Sequence, residues 1–510
     1  MKKHILYIAS ENKIKEAKKD LERFVSSKKP NDHYTLTLTT KENLDFSIYF
    51  VKKLEDLSTY LRSYPLDIIL YDERDRNTCA KEAIKIIRSE ITLLSSTLGL
   101  DFHFSMQKVA TIIGHHDETE KILFYLGRRN LKEVFVNPKK FFSSVENIST
   151  LLQYKKNSIK GDKIGFACGG GGLDGYLYSL GCILAINHAL EKGKLEDCHY
   201  FSGISSGSIV SSILAKKLSI EENILALYGR SRLYKTFSAR ILYDFAGFEF
   251  FKRMMSYGFR KDTGESLKAS ERFLRSMPTG LFHGRKFVKY FEECLEAAGV
   301  ENGFKKEFNN LFIGATDQDT FEHVVFGLEP WNHIKLSDAI RASSALVPLL
   351  APWRIDGTSF IDGQITRSCN IDLLIRKGCN LIIIVDPVMP YSKEIIEGVD
   401  VQGGFYTVIQ TIKALIYSRF KARLNHLHER HPEVSFILFQ PEGDAAYSMR
   451  GLPMKSKINT DLLTESYRST LWRIRKRYQV YDSKLKNFSF ELKSPDELIS
   501  LTRKKVIDII

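Results

Sequence analysis

Four consecutive glycines, at positions 169–172, interrupt the segment KIGFACGGGGLDGYLYSLGCILAINHAL (163–190). The residues before them form a short apolar run, and those after them repeat apolar side chains at helical spacing, so the segment predicts a strand, a glycine loop and a helix. Because glycine has no side chain, the backbone N–H groups of such a loop approach an anion closely, and the helix end adds partial positive charge. The segment therefore predicts an oxyanion or phosphate cradle in an α/β fold.

The same glycines also fit the dinucleotide-binding pattern GxGxxG through Gly170, Gly172 and Gly175. That pattern is weak on its own. A dinucleotide site needs an acidic residue at the end of the next strand for the ribose, whereas the next strand, in CHYFSGISSGSIVSSILAKKL (198–218), leads to a serine. Nucleotide binding is therefore the weaker alternative, which a thermal-shift screen with nucleotides would test.

The serine lies in the pattern GxSxG, formed by Gly203, Ile204, Ser205, Ser206 and Gly207 and followed by an amphipathic helical segment. The two glycines allow a sharp strand-to-helix turn that presents the serine hydroxyl above the sheet. A GxSxG also occurs by chance, and a glycine-serine turn can be a plain helix cap. In this chain it follows a glycine cradle, and both motifs fall at the carboxyl ends of strands, where open α/β sheets bind ligands. We therefore interpret Ser205 as a nucleophile.

A third element lies in LSDAIRASSALVPLLAPWRIDGTSFIDGQITRSCNIDLLIRKGCNLIIIVDP (336–387), where a helix, a proline-broken segment and a strand pair lead to Asp362-Gly363. A glycine-rich loop, a GxSxG and an Asp-Gly after an RAS…P segment, in this order, resemble the patatin-like phospholipases, which are related to cytosolic phospholipase A. The resemblance implies a three-layer α/β/α hydrolase domain with a Ser-Asp dyad that cleaves phospholipid or lysophospholipid esters without cofactor or metal. It assigns the nucleophile to Ser205, the base to Asp362, the oxyanion hole to Gly170, Gly171 and Gly172, the elbow to Gly203 and Gly207, and a supporting role to Gly363.

A dyad of this kind makes a demand on its carboxylate. A free aspartate has a pKa of about 3.9, which is poorly matched to accepting a hydroxyl proton near neutrality. Burial must therefore raise the pKa of Asp362, and the apolar neighbours in FIDG suit that requirement. Water would then release the acyl-enzyme.

Two positions depart from the family pattern. Where the family usually has Arg or Lys before the last glycine of the first motif, this chain has Asp174, and where Asp-Gly is usually followed by Gly or Ala it has Gln364. Neither removes the nucleophile or the base, but Asp174 replaces a positive charge that would steer anionic headgroups or support the oxyanion loop. Three arginines flank the third motif and are candidates for compensation, although a surface or ion-paired role is the commoner one for any single arginine: Arg341, Arg354 and Arg367.

Length, charge and cysteine content bound the remaining possibilities. A chain of 510 residues predicts two domains, and a net charge of +14 attracts anionic partners such as phospholipid headgroups. The seven scattered cysteines contain no CxxC pair and indicate neither a disulfide framework nor a zinc site. The first apolar run is too short for a secretory signal, and no apolar stretch is long enough to span a bilayer. We therefore expect a cytoplasmic protein that contacts a membrane peripherally, possessing no recognised nucleic-acid motif.

Residues 1–155 alternate short apolar strands with helical stretches, predicting a doubly wound, flavodoxin-like sheet. The predicted strands are 4–10, 34–40, 66–72, 109–114 and 133–138. Their order resembles the receiver domains of two-component signalling, with Asp72 where that family has its phosphoacceptor. Ala9 and Ser10 stand where the family has an acidic pair, which leaves little to hold Mg²⁺. We expect a degenerate receiver that docks a protein partner or regulates, then a linker at 156–163 and the patatin-like domain with a C-terminal helical extension at 164–510.

Two further segments have alternative interpretations. Residues 229–261 interleave basic and aromatic side chains and predict either a lid or membrane-interface segment or ordinary core packing. His426, His428 and His431 follow Asp362 in the Ser-Asp-His order of the α/β-hydrolases, which would make the protein an esterase with a triad, but a charge-rich helix favours surface histidines. A third possibility is a lipid-binding regulatory protein without catalysis, with Asp174 and Gln364 as signs of decay.

Overall fold

The chain forms two compact units. The first comprises Met1–Lys160, Leu424–Ser435 and Arg477–Ser489, and the second comprises Gly161–Arg423, Phe436–Lys476 and Phe490–Ile510. The computed structural model describes residues 3–31, 35–40, 45–75, 78–97, 109–114, 122–123, 126, 131, 133–136, 138, 142, 163–241, 244, 251–252, 255–256, 279–304, 309–390, 403–431, 433–449, 458–508 and 510. The expected linker at 156–163 lies outside these residues except for Lys163.

The first unit contains a seven-stranded sheet in the order β2-β3-β4-β1-β5-β6-β7. Its elements are β1 (Lys3–Ile8), α1 (Glu11–Phe24), β2 (Val25–Asn31), β3 (Thr35–Thr40), β4 (Asp45–Val51), α2 (Leu57–Ser63), β5 (Ile68–Asp72), α3 (Ala80–Thr97), β6 (Val109–Ile113) and β7 (Glu133–Val136). Strands β4, β1, β5, β6 and β7 run parallel. Apolar side chains pack on both faces of this part of the sheet, as a parallel sheet covered by helices requires. The predicted doubly wound α/β fold is confirmed.

One detail of the predicted sheet is wrong. The segment 34–40 was expected to be the second parallel strand, but β3 pairs antiparallel with β4, and β4 is the strand that lies parallel to β1. Strands β2 and β3 form an antiparallel extension at the edge. The parallel core therefore keeps the order 2-1-3-4-5 of many doubly wound domains.

Asp72 is fully buried at the end of β5 and already has partners. It accepts hydrogen bonds from the Tyr7 hydroxyl at 2.7 Å and from Arg74 Nε at 2.9 Å, and it forms an ion pair with the Arg74 guanidinium at 2.7 Å. Burial and the neighbouring carboxylate raise the pKa of Tyr7, which keeps its hydroxyl a donor. The buried carboxylate of Asp72 is therefore already paired with the Tyr7 hydroxyl and the Arg74 guanidinium.

The second unit is built on an eight-stranded sheet in the order β13-β14-β11-β10-β8-β15-β16, with β12 paired to β11. From residue 163 onward the elements are β8 (Lys163–Cys168), α4 (Gly172–Ala189), β9 (Leu190–Lys192), β10 (Tyr200–Ile204), α5 (Ser206–Ala215), α6 (Ile220–Leu227), α7 (Arg285–Ala297), β11 (Leu311–Asp317), β12 (His323–Phe326), α8 (Leu336–Ser343), β13 (Trp353–Ile355), β14 (Thr358–Asp362), α9 (Ile371–Arg376), β15 (Cys379–Val385), α10 (Gly404–Arg430), β16 (Ser435–Phe439), α11 (Gly443–Ser448), α12 (Thr460–Lys476), α13 (Tyr478–Lys486), β17 (Glu491–Leu492) and α14 (Pro495–Thr502). Of these, α13 and the end of α10 belong to the first unit.

The centre of this sheet is parallel, and its two central strands carry the predicted motifs. Strand β8 pairs parallel with both β10 and β15, and β10 pairs parallel with β11. The glycine loop after β8 and the GxSxG after β10 therefore emerge side by side at one edge. Strand β14 joins antiparallel to β11, with Asp362 opposite Ala315, and ends at the same edge.

Helix α4 follows the glycine loop and is buried along almost its whole length, as its apolar sequence predicts. A Cβ built on Gly181, in the middle of the helix, would lie 2.6 Å from the Leu463 carbonyl oxygen of α12. Glycine at this position therefore lets α12 pack directly on the α4 backbone. No helix among the described residues is long and apolar enough to cross a bilayer, and those residues contain no cluster of three or more His, Cys, Asp or Glu side chains arranged to hold a metal ion.

Candidate active site

Ser205 lies in a sharp turn between β10 and α5. Its backbone has φ 55° and ψ −130°, a conformation that costs an L-residue free energy, and its side chain is buried. Gly203 and Gly207, which flank the turn, are needed because neighbouring backbone leaves no room for a side chain at either position. A Cβ on Gly203 would lie 2.3 Å from the Gly207 carbonyl oxygen, and a Cβ on Gly207 would lie 2.3 Å from the Cys168 carbonyl oxygen. The turn therefore presses against β8 more closely than any side chain permits.

Hydrogen bonds hold the Ser205 backbone on both sides. Its N–H donates to the Ser343 hydroxyl at 2.8 Å, and that hydroxyl donates to the Gly314 carbonyl oxygen at 2.6 Å. Its carbonyl oxygen accepts from the N–H of Ser208 at 2.9 Å and from the Ser208 hydroxyl. Ser343 is a positioning residue that sequence reasoning did not single out, although it belongs to the RAS segment.

The glycine loop lies against Ser205. A Cβ on Gly170 would be 2.5 Å from the Ser205 Cβ, so only glycine fits there. The N–H of Gly169 is used by the Val385 carbonyl oxygen at 2.8 Å. By contrast, the N–H groups of Gly170, Gly171 and Gly172 find no acceptor within the described part of the chain. Together with the start of α4, the loop thus presents free backbone donors beside the serine.

Asp362 ends β14 and is almost completely buried. Its carboxylate accepts a hydrogen bond from the Gln364 N–H at 2.8 Å, and the Ser205 side chain lies near enough to act on it as a hydrogen-bond donor. Burial raises the pKa of Asp362 to about 7, although both hydrogen bonds act to lower it. Gly363 is needed because its Cβ would lie 2.4 Å from the Gly314 carbonyl oxygen. The two predicted side chains therefore line the same cavity, and burial brings the pKa of the carboxylate close to neutral pH.

A polar network supports the Asp362-Gly363 turn from behind. The Thr316 hydroxyl donates to the Asp362 carbonyl oxygen at 3.1 Å and lies 2.8 Å from the Thr366 hydroxyl. The His323 ring bridges Thr366 and Asn370 at 2.8 and 2.7 Å. Burial lowers the pKa of His323 to about 4, so the ring is neutral and serves as a bridge between neutral groups. Sequence reasoning missed this network, which no short motif announces.

A second buried carboxyl, Asp386, lies behind the glycine loop. It accepts hydrogen bonds from the Val388 N–H at 3.3 Å and from Gln440 Nε2 at 3.1 Å, and a Cβ on Gly169 would lie 2.6 Å from its Oδ1. Burial raises the pKa of Asp386 to about 7. Its place after β15, at the edge where ligands bind, was the signal in the sequence that could have found it.

Ser205 and Asp362 open into an apolar cavity of about 1080 Å³, counting its open mouth. Gly171, Gly172, Ser206, Ser344, Gln364 and Lys413 also line it. The rest of the lining is apolar: Leu173, Tyr176, Ile209, Phe237, Phe282, Phe287, Leu346, Leu349, Leu350, Val388, Ile409, Ile412 and Ile416. None of the described lining residues is a histidine. The polar groups at the wall thus include a hydroxyl, a carboxylate, amide donors and the Lys413 side chain, and they face a surface suited to a hydrocarbon chain.

The residues considered for charge compensation lie elsewhere. Arg341 is fully buried, which contradicts the expected surface role, and donates to the carbonyl oxygens of His283 and Ala351 at 2.6 and 2.7 Å. Burial lowers the pKa of Arg341 to about 10. Arg354 is exposed, and Arg367 pairs with Asp372 at 3.1 Å. Asp174 is buried in the first turn of α4, where the helix dipole favours a carboxylate. None of these four residues lines the cavity.

The remaining sequence expectations fall outside this cavity or outside the described residues. His426 and His428 lie on α10, and His431 follows it and is hydrogen-bonded to Glu433 at 3.1 Å. All three belong to the first unit, whereas Ser205 and Asp362 belong to the second. Of the segment 229–261, residues 242–243, 245–250, 253–254 and 257–261 lie outside the described residues. Phe237, within that segment, lines the cavity.

A serine at a strand-to-helix elbow, facing an apolar cavity at the edge of an α/β sheet, is the arrangement typical of the α/β class of ester hydrolases. Residues 166–375 match the family model of the patatin-like phospholipases, and this range includes the glycine loop, Ser205 and Asp362. The chain therefore contains a patatin-like phospholipase domain, which implies lipid acyl hydrolase activity. Among solved structures, the crystal structure of VipD from Legionella pneumophila is similar at 16% identity over 67% of this chain and 74% of that chain, with a TM-score of 0.29.

Proposed function

We propose that this protein hydrolyses carboxylic ester bonds of phospholipids or lysophospholipids with a Ser205–Asp362 dyad. The observation that carries the proposal is that Ser205 and Asp362 line one apolar cavity, in which burial raises the pKa of Asp362 to about 7 while the Ser205 side chain acts on it as a hydrogen-bond donor. A carboxylate with that pKa is matched to accepting a proton from a serine hydroxyl near neutral pH. No histidine is required between them.

The proposed reaction proceeds in two halves. Ser205 Oγ attacks the ester carbon while Asp362 takes its proton, and the electron pair of the C=O bond moves to the carbonyl oxygen, which the N–H groups of Gly170, Gly171 and Gly172 stabilise. The intermediate collapses, Asp362 returns the proton to the departing alcohol, and an acyl-enzyme remains. Water then attacks in the same way and releases the fatty acid. The free loop amides beside Ser205 support this assignment.

The cavity lining supports a long acyl chain as the group that binds beside the dyad. Its walls are contributed largely by leucine, isoleucine and phenylalanine side chains. Burying hydrocarbon against such walls stabilises a complex by roughly 0.8 kcal/mol per methylene. We therefore expect activity to rise with acyl length over short chains, with a headgroup remaining at the open mouth.

We further propose that the cavity mouth meets a membrane surface. Five exposed apolar side chains are each next in sequence to a cavity-lining residue, and we call them the apolar rim: Leu281, Val347, Ile365, Val408 and Leu415. Exposed apolar side chains on the segments that line a site favour an interface there. With a net charge of +14, the protein is attracted to anionic lipid, so peripheral binding at the cytoplasmic face of a membrane is the proposed location.

The first unit is proposed to dock a protein partner or to regulate the second. The buried ion pair of Asp72 with Arg74 supports a binding module in preference to a phosphoacceptor. Incubation with a small-molecule phosphodonor, read by intact mass, tests this: no added phosphate is expected, and stoichiometric labelling of Asp72 would contradict it.

The direct test of the hydrolase proposal is fatty acid release from phospholipid and lysophospholipid vesicles by the wild type, Ser205→Ala and Asp362→Asn. We expect hydrolysis by the wild type and a loss of at least about 1000-fold in each variant. A Ser211→Ala variant, in the helix that follows the elbow, is the matched control and should retain activity. Equal rates in wild type and both dyad variants would reject the proposal, and so would labelling of a residue other than Ser205 by a fluorophosphonate probe.

A further inference from the structure

Gln364 occupies the space between the glycine loop and the nucleophile. Its side chain is 4% exposed and lines the cavity. A Cβ on Gly170 would lie 2.3 Å from the Gln364 Oε1 and 2.5 Å from the Ser205 Cβ, so the carboxamide and the serine meet at the same glycine. Any ester oxygen held between Ser205 and the loop therefore lies against this carboxamide.

The Gln364 backbone is held in place by hydrogen bonds, but the side-chain Nε2 has no hydrogen-bond acceptor among the described residues. Arg419 on α10 donates to the carbonyl oxygens of Gln364 and Ile365, and the Gln364 N–H donates to Asp362, so the backbone is fixed on both sides. The side-chain Nε2 is nevertheless buried without an acceptor among the described residues. A buried donor without a partner is costly and rare in folded proteins. An acceptor supplied by a ligand would remove that cost.

We propose that the Gln364 carboxamide is a catalytic donor that hydrogen-bonds the acyl carbonyl oxygen of the substrate and strengthens this bond as the oxygen becomes an oxyanion. This inference rests on the proposed ester hydrolysis. In this structure the carboxamide oxygen faces Gly170, and a half-turn about the last side-chain torsion, which is roughly two-fold, places Nε2 against an oxygen beside Gly170. Gln364 therefore adds a side-chain donor to the backbone donors of the loop, and the departure of this position from the Gly or Ala of the family becomes a gain of function.

A donor that acts on the oxyanion affects the reaction in a specific way. It contributes more to the transition state than to the bound substrate, so its removal lowers kcat and leaves KM nearly unchanged. Removal of one such donor typically lowers kcat by about 100-fold or more. A side chain that merely fills the cavity would, on removal, change KM or raise the rate.

The test compares the wild type with Gln364→Met, which keeps length but has no N–H donor, and with Gln364→Glu, which keeps shape but replaces the donor by an acceptor. Gln479→Met, at an exposed position on α13, is the control. With a water-soluble short-chain ester, we expect kcat to fall about 100-fold in both Gln364 variants, with KM within about twofold of the wild type, and no change in the control. A trifluoromethyl ketone that forms a tetrahedral adduct with Ser205 should lose affinity by the same factor.

The outcomes separate the two proposals. Unchanged or increased kcat in Gln364→Met, with the wild type active, would overturn the donor role and leave the hydrolase standing. A fall in kcat without weaker binding of the ketone would also overturn it, since the effect would then not involve the oxyanion. Absence of hydrolysis by the wild type would overturn both. Thermal unfolding midpoints check that both variants are folded. The proposal is supported only if Gln364→Met and Gln364→Glu show the same fall in kcat.

Discussion

The backbone N–H of Ser205 donates to the Ser343 hydroxyl at 2.8 Å, so the amide of the proposed nucleophile is already occupied. Because Ser343 also donates to the Gly314 carbonyl oxygen, helix α8 ties the elbow to β11. A substrate oxygen cannot therefore use the Ser205 amide as a donor. The glycine loop, which packs directly against Ser205, presents N–H groups that find no acceptor among the described residues.

The pH dependence of hydrolysis should follow the ionisation of Asp362. The base acts only when deprotonated, and its pKa is raised to about 7, so kcat/KM should rise with pH, reach half its plateau near pH 7 and fall about tenfold per pH unit on the acid side. A pH profile measured with a non-ionising soluble ester checks this. Asp386 is the control because its pKa is also raised to about 7. In Asp386→Asn the pH profile of kcat/KM should keep its midpoint near pH 7. Loss of that midpoint in this variant would contradict the assignment of the profile to Asp362.

Replacing Asp362 by asparagine should stabilise the protein at alkaline pH. The folded protein binds the Asp362 proton more tightly than the unfolded chain does, with a pKa of about 7 against about 3.9, so stability falls as pH rises between these values. Asp362→Asn escapes that loss and should gain up to about 4 kcal/mol at pH 8, and far less at pH 4. Urea unfolding at both values measures the difference. Asp319→Asn, at an exposed position, should have the unfolding free energy of the wild type at both pH values. An equal change in unfolding free energy in Asp362→Asn and Asp319→Asn would contradict the prediction.

The strained backbone of Ser205 should make glycine more stable than alanine at this position. With φ at 55° and ψ at −130°, alanine keeps the strain and glycine releases it, so Ser205→Gly should exceed Ser205→Ala in unfolding free energy by about 1 kcal/mol or more. Both variants should be inactive, which removes activity as a confounding factor. At Ser211, inside helix α5, the order should reverse because glycine is the poorer helix former. The same order at both positions would argue against strain at the elbow.

Gly207→Ala should damage the fold as well as the site. The added Cβ would lie 2.3 Å from the Cys168 carbonyl oxygen and 2.4 Å from that of Gly169, and neither backbone atom yields easily. We expect a loss of at least about 2 kcal/mol in unfolding free energy together with loss of activity. Gly404→Ala, with nothing within 4 Å of the new Cβ, is the matched control and should be neutral. Normal stability of Gly207→Ala would show that the turn opens more readily than the structure indicates.

The apolar rim should control binding to vesicles without affecting the chemistry. Val408→Glu places a charge at a side chain that is 49% exposed beside the cavity-lining Ile409, and it should weaken sedimentation with anionic vesicles at least about fivefold. Hydrolysis of a water-soluble ester should be unchanged. Trp472→Glu, at a position 48% exposed on α12 and adjacent in sequence to no lining residue, is the control. If Val408→Glu and Trp472→Glu lose vesicle binding equally, the loss comes from the change in net charge and not from the apolar rim.

The sequence predicts the α/β fold and the meeting of Ser205 with Asp362 because each motif fixes a local turn at the end of a strand. A glycine loop or a GxSxG restricts its own backbone, and parallel strands carry such turns to one edge. The structure places both side chains in the wall of one cavity, while their catalytic roles stay predictions. Strand 34–40 was misassigned because alternation of side chains identifies a strand but does not give its direction.

Features that depend on distant partners could not be predicted in this way. Arg341 is buried because carbonyl oxygens of His283 and Ala351 surround it, and neither partner is near enough in sequence to form a recognisable pattern. Gln364 was interpreted as a departure from the family pattern that removes neither nucleophile nor base, and as a sign of decay only in the non-catalytic alternative. Its burial beside Gly170 and its free Nε2 become visible only when the loop and the turn are seen together.

Strand β15 begins at Cys379, after the last residue that matches the family, yet it lies inside the sheet between β8 and β16. A recombinant fragment cut at residue 375 would leave β8, the strand that leads into the glycine loop, with an open edge exposed to other chains. It would also uncover the face of α4 on which α12 packs at Gly181. The shortest soluble fragment that keeps this pocket assembled must therefore extend at least through α12.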